Sequence, residues 1–418
     1  MIFSLKYRKK KSFNIRQSKI AHVIMSQVAH QHRLHKYTTV FLSILCIDIF
    51  VTYFIYMKIN TGNNKTYYIL RWKIGGFNRF GFLGTGSSKF IEMNCPYQNC
   101  YITDDSKYFP SVLDFDALLF CGRQTLNFPR SDLPQERSPS QKYIFAMNEP
   151  VPMFMSCNPL LENLFNWTWT YKLNSDIRFS YILIYDLNGH EVGPKINMNW
   201  PMEMKPIQDE TTKSILDGKS KAAAWVVSRC ISSSKREIFV KRMIPHLYKF
   251  NLTLDVYGSC SKFGRVGVDR YKNLVKKNYY FYFSFENSIT RDYVTEKLLT
   301  ALLNYAVPVV FGGADYSRFL PPGSYLNALE LGPRQLARTM KEIIENKTRY
   351  YDFFRWRNHF VYKQGDKFTE ICNVCTALNE NILTNLLLRD AFRLWWFGEY
   401  SYKLKSCKKK QNNKTQNT

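Results

Sequence analysis

The chain has 418 residues, 45% of them hydrophobic and 16% aromatic, and a formal net charge of +26. That size supplies two domains of ordinary dimensions with accessory segments, and the apolar content excludes a disordered chain. A nucleic-acid groove is not the reading of the charge, because residues 1–36 hold nine Lys/Arg and residues 403–418 six Lys, neither segment with an acid; the excess sits in tails, and the remainder suits an anionic small molecule or membrane surface.

After the basic tail, Tyr37–Met57 is an apolar stretch of 21 residues interrupted by one acid, Asp48. That length spans a bilayer as a helix. The basic segment before it is too long for a signal-peptide n-region, so the pattern predicts a single-pass anchor with its N-terminus cytoplasmic. Asp48 is costly in such a span and needs a partner or a less buried register. Everything after Lys58 is then expected on the lumenal or extracellular side. Asn-x-Ser/Thr sequons at Asn64, Asn166, Asn251, Asn346 and Asn413 agree with that side.

Nine cysteines follow the anchor, which fits an oxidising compartment. Cys95-x4-Cys100 and Cys372-x2-Cys375 have the form of two halves of a zinc site or of disulfide partners. Only three His follow the anchor, none with ligand spacing, and disulfides are the expectation. The odd count leaves a free or intermolecular thiol, assigned to Cys407 in the tail.

Residues 58–66 read as a stem. Short apolar runs with strand composition follow at Tyr67–Trp72, Ala117–Cys121, Tyr143–Met147 and Tyr181–Tyr185, separated by turn-rich stretches such as Asn127–Ser140; they form a first α/β domain over 67–205. Pro194–Lys219, rich in Pro, Asn and Lys, is the link to the second half. There, strands are expected at Ala222–Ser228, Leu254–Gly258, Tyr279–Phe285 and Val307–Phe311. They alternate with helices at Lys235–Phe250, interrupted by Pro245, and at Asp269–Lys277, Tyr293–Tyr305 and Pro333–Glu345. Such alternation over 220–370 means βαβ units and a parallel sheet, with ligands at the carboxyl ends of the strands. Cys230 and Cys260 each follow a strand and bracket one βα unit, which makes them a plausible disulfide pair. Residues 371–402 are a C-terminal disulfide and helical segment, and 403–418 a basic tail.

The most informative segment is Phe283-Ser284-Phe285-Glu286-Asn287-Ser288, followed by Asp292-Tyr293-Val294-Thr295-Glu296-Lys297. A strand end running into a first helical turn offers free N–H groups and the helix dipole to a phosphate. Spacings of three and four residues predict Tyr293, Glu296 and Lys297 on one helix face. A sugar nucleotide needs that mix: a cation for the diphosphate and a carboxylate for the sugar hydroxyls. Taken alone, Glu296-Lys297 is an ordinary solvated pair; the longer pattern changes its meaning.

Phe285-Glu286-Asn287-Ser288, Tyr293-Val294-Thr295-Glu296-Lys297 and Val307-Pro308-Val309-Val310 together resemble the donor motif of the α-1,3-fucosyltransferases of glycosyltransferase family 10. Further blocks agree: Phe165-Asn166-Trp167-Thr168 with Tyr171 and Ser175-Asp176, Asp255-Val256-Tyr257-Gly258, Phe319-Leu320-Pro321-Pro322, and Cys372-x2-Cys375. The resemblance implies a glycosyltransferase-B-like α/β fold, with two Rossmann-like domains facing a cleft behind one transmembrane helix. It implies GDP-fucose on the 220–370 domain and the acceptor on the 67–205 side. The implied reaction moves L-fucose from GDP-β-L-fucose to a GlcNAc 3-hydroxyl with inversion. Its general base matches Glu149 in Asn148-Glu149-Pro150, and its donor site Arg236, Asn287, Tyr293, Glu296 and Lys297, with Arg236, Lys297 and Tyr293 on the phosphates. Trp167, Tyr171 and Lys172 fall on the acceptor side.

The pattern Asp114-Phe115-Asp116 reads as a turn. Arg236 and Lys297 can do the electrostatic work of a divalent ion, so no obligatory metal or other cofactor is expected. The implied partners are GDP-fucose, a glycan on a glycoprotein or glycolipid, and a Golgi membrane crossed once in type II orientation, with homodimer formation left open and no nucleic acid. Three departures stand out: Val227-Ser228-Arg229 for the usual Val-Ser-Asn, Lys172 for an Arg, and Tyr305 where a small Gly is usual. They leave one alternative, a catalytically impaired glycan- or nucleotide-binding module.

Overall fold

A computed structural model describes residues 47–51, 65–73, 80–150, 158–261, 264, 267–366, 370–382 and 392–398. The chain divides into two compact units, Met1–Lys65 and Thr66–Thr418. In the first, 47–51 is helical. The rest of the expected anchor, both basic tails, Asn64, Cys407 and Asn413 lie outside the described residues. Among the described residues no helix is long and apolar enough to cross a membrane.

The second unit holds two parallel sheets. The first has the order β2-β1-β3-β4-β5-β6, built from β1 (Tyr67–Arg71), β2 (Cys100–Thr103), β3 (Ala117–Cys121), β4 (Lys142–Met147), β5 (Trp167–Thr170) and β6 (Ile177–Arg178). The second has the order β10-β9-β11-β12-β13, from β9 (Lys221–Val226), β10 (Leu254–Tyr257), β11 (Tyr279–Phe285), β12 (Val307–Phe311) and β13 (Leu326–Asn327). Near-continuous apolar runs such as Ala117–Cys121 and Tyr279–Phe285 suit strands covered on both faces, which parallel sheets require. In each sheet the first strand is flanked by the second on one side and the third on the other. This reversal of strand order creates a crevice at the carboxyl ends.

Burial follows the period of two. Phe281, Phe283 and Phe285 face a core with Val240 and Met243 of the helix Arg236–Tyr248 and Leu336 and Met340 of the helix Ala328–Glu345. Tyr282 faces Val275 and Ala301 on the other side. The N-terminal sheet is covered from the far end of the chain. Ile371, Val374 and Leu378 of the helix Glu370–Glu380 pack with Ile69, Ile144 and Trp167. Phe392, Trp396 and Phe397 pack with Leu118, Phe120 and Phe145 on the opposite face.

Four expectations change. The run at Tyr181–Tyr185 is β7 (Ile182–Asp186), which joins β8 (Glu191–Gly193) and β14 (Phe360–Gln364) in a separate antiparallel sheet. Ile182 and Ile184 are buried while Leu183 and Tyr185 are half-buried, the one-sided pattern of an antiparallel strand. The expected link contains a helix, Glu210–Asp217, whose Asp209 cap accepts from the Thr211 and Thr212 amides at 3.3 and 2.8 Å. The helix expected from Tyr293 begins at Glu296, because Asp292 is left-handed (φ 59°) and Thr295 is extended. The helix expected from Pro333 is preceded by a turn from Ala328 that breaks at Gly332.

Candidate active site

The loop after β11 is closed by one buried carboxylate. Glu286, 1% exposed, accepts from the Thr295 amide and hydroxyl at 2.9 Å each and from Lys297 Nζ at 2.9 Å. A carboxylate this buried persists only when paired. It therefore staples the strand end to the first turn of the helix Glu296–Leu303. Gly313 lets β12's exit pass close: a Cβ there would lie 2.6 Å from the Thr290 amide nitrogen.

Lys297 also donates to Thr295 Oγ1 at 2.7 Å, and Glu296 lies 3.6 Å away. Burial pulls its ammonium down, but Glu286 and Glu296 outweigh this and hold it above its ordinary value. Two of its three donors serve Glu286 and Thr295, and among the described residues the third makes no hydrogen bond, with the Glu296 carboxylate 3.6 Å away.

Arg236 opens the helix Arg236–Tyr248 and turns inward, 3% exposed. Its guanidinium donates to the Phe285 carbonyl at 2.5 Å and the Arg229 carbonyl at 3.5 Å. Burial lowers its pKa, opposed by Glu286 and Glu237. Its Nε and the Asn287 Oδ1 are buried without a hydrogen-bond partner among the described residues. The Asn287 carbonyl accepts from the Ser234 amide at 3.2 Å and Ser233 Oγ at 2.9 Å, which clamps the β9 and β11 exits together. At the carboxyl ends of neighbouring strands, the Arg236 Nε is an unused donor suited to an anionic group, and the Asn287 Oδ1 an unused acceptor suited to a ligand hydroxyl or N–H.

Tyr293, 3% exposed, packs edge-on to Tyr171 with ring centroids 5.0 Å apart and to Tyr181 at 6.2 Å. Burial raises its pKa well above the ordinary phenol value, helped by Tyr181, Glu286, Glu149 and Glu296. The hydroxyl therefore stays a neutral donor. Glu149, just past β4, reaches this phenol electrostatically from the N-terminal sheet, while Glu286 and Glu296 do so from the C-terminal one. In contact terms Tyr181 joins the two regions, its hydroxyl donating to the Asn148 carbonyl at 2.7 Å and its ring lying edge-on to Tyr293.

Several sequence-based placements are corrected. Tyr293, Glu296 and Lys297 do not share a helix face: Tyr293 precedes the helix and is buried, the Glu296 side chain is 52% exposed, and Lys297 is turned towards Glu286. Trp167 is 0% exposed in the core of β5, under the Lys142 ammonium at 5.1 Å, so it presents no surface to an acceptor. Lys172, 5% exposed, donates to the Trp395 and Trp396 carbonyls at 2.8 and 3.4 Å; it holds the C-terminal helix Phe392–Phe397 rather than a ligand. Tyr171 is buried against Tyr293 and Trp396.

The six candidate cysteines are disulfides: Cys95–Cys372, Cys100–Cys375 and Cys230–Cys260. The last joins the β9 and β10 exits beside Arg229. Cys121 is a free thiol, pushed up to about 12 by burial. Asp114 accepts from the Ser111 amide and Asp116 from the Tyr68 amide, at 3.3 and 2.9 Å, so each serves the backbone. Of the sequons, Asn251 and Asn346 are exposed, whereas Asn166 is half-buried and its Oδ1 accepts from the Tyr143 amide at 2.8 Å.

Three residues of the site carried no role in the sequence reading. Glu286 had a signal, an acid directly after an apolar strand with a Lys eleven residues on. Asp292, 3% exposed, accepts from the Leu173 amide and Arg318 Nη1, both at 3.3 Å, and ties the loop to the N-terminal side. Tyr181 had no local signal, because its partners come from distant segments.

The comparisons cover both sheets. A family model described as "Fucosyltransferase, N-terminal" matches residues 64–182, and one described as "Glycosyltransferase family 10 (fucosyltransferase) C-term" matches residues 216–390. Alpha-(1,3)-fucosyltransferase C of Drosophila melanogaster is 33% identical over 311 residues, 73% of this chain and 71% of that protein. The 3-galactosyl-N-acetylglucosaminide 4-alpha-L-fucosyltransferase FUT3 of Homo sapiens is 30% identical over 305 residues, 70% of this chain and 74% of that protein. A crystal structure of an alpha1,3-fucosyltransferase with GDP-fucose aligns with a TM-score of 0.45 at 15% identity, over 76% of this chain and 91% of that one. With the donor-motif residues gathered at the end of β11 and both halves matched by the family's models, the chain belongs to glycosyltransferase family 10 and is a fucosyltransferase.

Proposed function

We propose that the chain transfers L-fucose from GDP-β-L-fucose to the 3-hydroxyl of a GlcNAc in a glycan, with inversion at the anomeric carbon. The observation that carries this reading is the tie between the two sides: the Tyr181 hydroxyl donates to the carbonyl of Asn148, next to Glu149, at 2.7 Å, and its ring lies edge-on at 6.2 Å to Tyr293 of the loop that leads to the Glu286–Lys297 pair. Glu149 takes the proton of the acceptor hydroxyl as its oxygen attacks the anomeric carbon. The bond from that carbon to the β-phosphate oxygen breaks, and the electron pair leaves with GDP. Arg236 and the third donor of Lys297 face the developing phosphate charge, held in place beforehand by Phe285 and Glu286. Asn287 contributes its unpartnered Oδ1 as an acceptor for a hydroxyl or N–H of the nucleotide-sugar. Glu296 is open to solvent and faces the fucose hydroxyls, where its charge favours a cationic transition state.

The domain reading follows: 67–205 on the acceptor side and 220–370 on the donor side of a glycosyltransferase-B-like cleft. Three disulfides support a lumenal catalytic unit, behind a type II Golgi anchor at 37–57. The test is Glu149→Gln, assayed with GDP-fucose against a panel of N-glycan, lactosamine and peptide acceptors. Turnover falls about 10²–10⁴-fold, the usual contribution of a general base, while GDP affinity stays within about twofold. Equal loss of both moves Glu149 out of the base role.

A further inference from the structure

We propose that Tyr181 is a positioning residue for the general base, holding the peptide that carries Glu149 in register with the donor loop. The inference rests on the assignment of Glu149 as base. The strand β4 ends at Met147, which pairs with Thr170, so the Asn148 carbonyl lies beyond the ladder and needs an acceptor's partner. The Tyr181 hydroxyl supplies it, donating to Asn148 O at 2.7 Å. That carbonyl belongs to the same planar peptide as the Glu149 nitrogen. On its other side Glu149 precedes Pro150, which confines it to extended backbone. The base is therefore fixed from both directions, by a proline and by a phenol from 33 residues away.

The mount of Tyr181 is itself rigid. Its carbonyl accepts from the Gly365 amide at 3.1 Å, at the end of β14. Gly365 approaches so closely that a Cβ there would meet Ser180 O at 1.6 Å. The Ser180 amide donates to Glu370 at 2.9 Å. The ring packs on Phe179 at 5.4 Å and edge-on to Tyr293 at 6.2 Å and 89°. Tyr181 touches the core under the N-terminal sheet, the aromatic cluster that includes Tyr293, and the cluster of Val294 and Leu298. One side chain thus links the backbone of the base to the loop that carries Tyr293 and Lys297. Misplacing a reacting group by about 1 Å costs about a hundredfold in rate, so this link sets turnover rather than donor affinity.

The experiment compares wild type, Tyr181→Phe and Glu149→Gln in transfer from GDP-fucose, with GDP affinity and thermal melting measured alongside. Tyr181→Phe keeps the ring and removes only the donor. The expected result is a kcat at least about tenfold lower, with KM for GDP-fucose, GDP affinity and Tm close to wild type; a tyrosine that only fills space gives no such split. An inactive Glu149→Gln beside a Tyr181→Phe with wild-type kcat overturns the positioning role alone. Loss of GDP binding in Tyr181→Phe in proportion to rate also overturns it, because the tie then acts on the donor loop. An active Glu149→Gln overturns the base assignment and the inference with it.

Discussion

At the scale of single residues, the site depends most on Glu286. Its carboxylate receives three donors in a place where only 1% of the residue is exposed. Glu286→Ala strands the Lys297 ammonium and two Thr295 donors, and breaking a buried pair from one side costs about 3–5 kcal/mol. Glu286→Gln keeps an acceptor of the same shape and should lose about half as much. Denaturant midpoints of the two variants against wild type check this: equal midpoints for the two variants would mean that the neutral acceptor kept by Gln contributes nothing, and a Gln variant level with wild type would mean that the charge of Glu286 contributes nothing. The chemistry of the donor loop was legible only through its longer pattern, because an acid and a cation after an apolar strand are by themselves an ordinary solvated pair. The orientation of its side chains was not. Trp167 and Lys172 sit in a motif block, but the burial of both depends on the helices Glu370–Glu380 and Phe392–Phe397, which cover the two faces of the sheet, and no local pattern reports them. Tyr305 is a similar case. It adopts φ 53°, where glycine is the unstrained choice, and the Arg357 guanidinium stacked at 3.8 Å offsets part of that cost.

At the scale of elements, the strands at Ala117–Cys121, Tyr279–Phe285 and Val307–Phe311 were readable to the residue, because doubly buried strands leave unbroken apolar runs. Sheet membership was not readable for β7, since its partner β14 lies far along the chain. The helix Glu370–Glu380 shows what such distant packing does to a titrating group. Glu370 opens it, 4% exposed, with Ser180 N and Asn373 Nδ2 donating at 2.9 and 3.0 Å. Burial raises its carboxyl from 4.5 to about 7, against hydrogen bonds from Ser180 and Asn373 and the charge of Arg178. An acid whose folded pKa is raised holds more protons folded than unfolded between those two values. Its contribution to stability is therefore fully present below the unfolded value and is lost as pH rises towards about 7. At about 1.36 kcal/mol for each pH unit, the effect is at most about 3 kcal/mol. Melting curves of wild type and Glu370→Gln from about pH 5 to about pH 8 isolate it. The wild type should lose a few degrees relative to the variant across that range. A constant difference would mean that Glu370 ionises alike in both states.

At the scale of the whole molecule, the chain builds one parallel sheet, then a second, and returns to cover both faces of the first. The return is fixed covalently. Cys95 and Cys100, beside and within the edge strand β2, bond Cys372 and Cys375 of the helix Glu370–Glu380 across separations of 277 and 275 residues. Asn99 and Asn379 exchange side-chain amide hydrogen bonds at 2.9 Å beside them. The two bridges close almost the same ring. A first cross-link over so long a loop removes about 5 kcal/mol of unfolded-chain entropy, whereas a second then closes only the short ring between the bridges and adds about 2–3 kcal/mol. Removing either pair alone, as Cys95→Ala with Cys372→Ala or Cys100→Ala with Cys375→Ala, should therefore cost about 2–3 kcal/mol, because the survivor still closes the large ring. Removing both should cost more than the two single losses together, by about 2–3 kcal/mol. Urea midpoints of the three variants under non-reducing conditions decide it. Strict additivity would show that the bridges act through local packing in the folded state, and that the returning helix holds its place on the N-terminal sheet without help from ring closure.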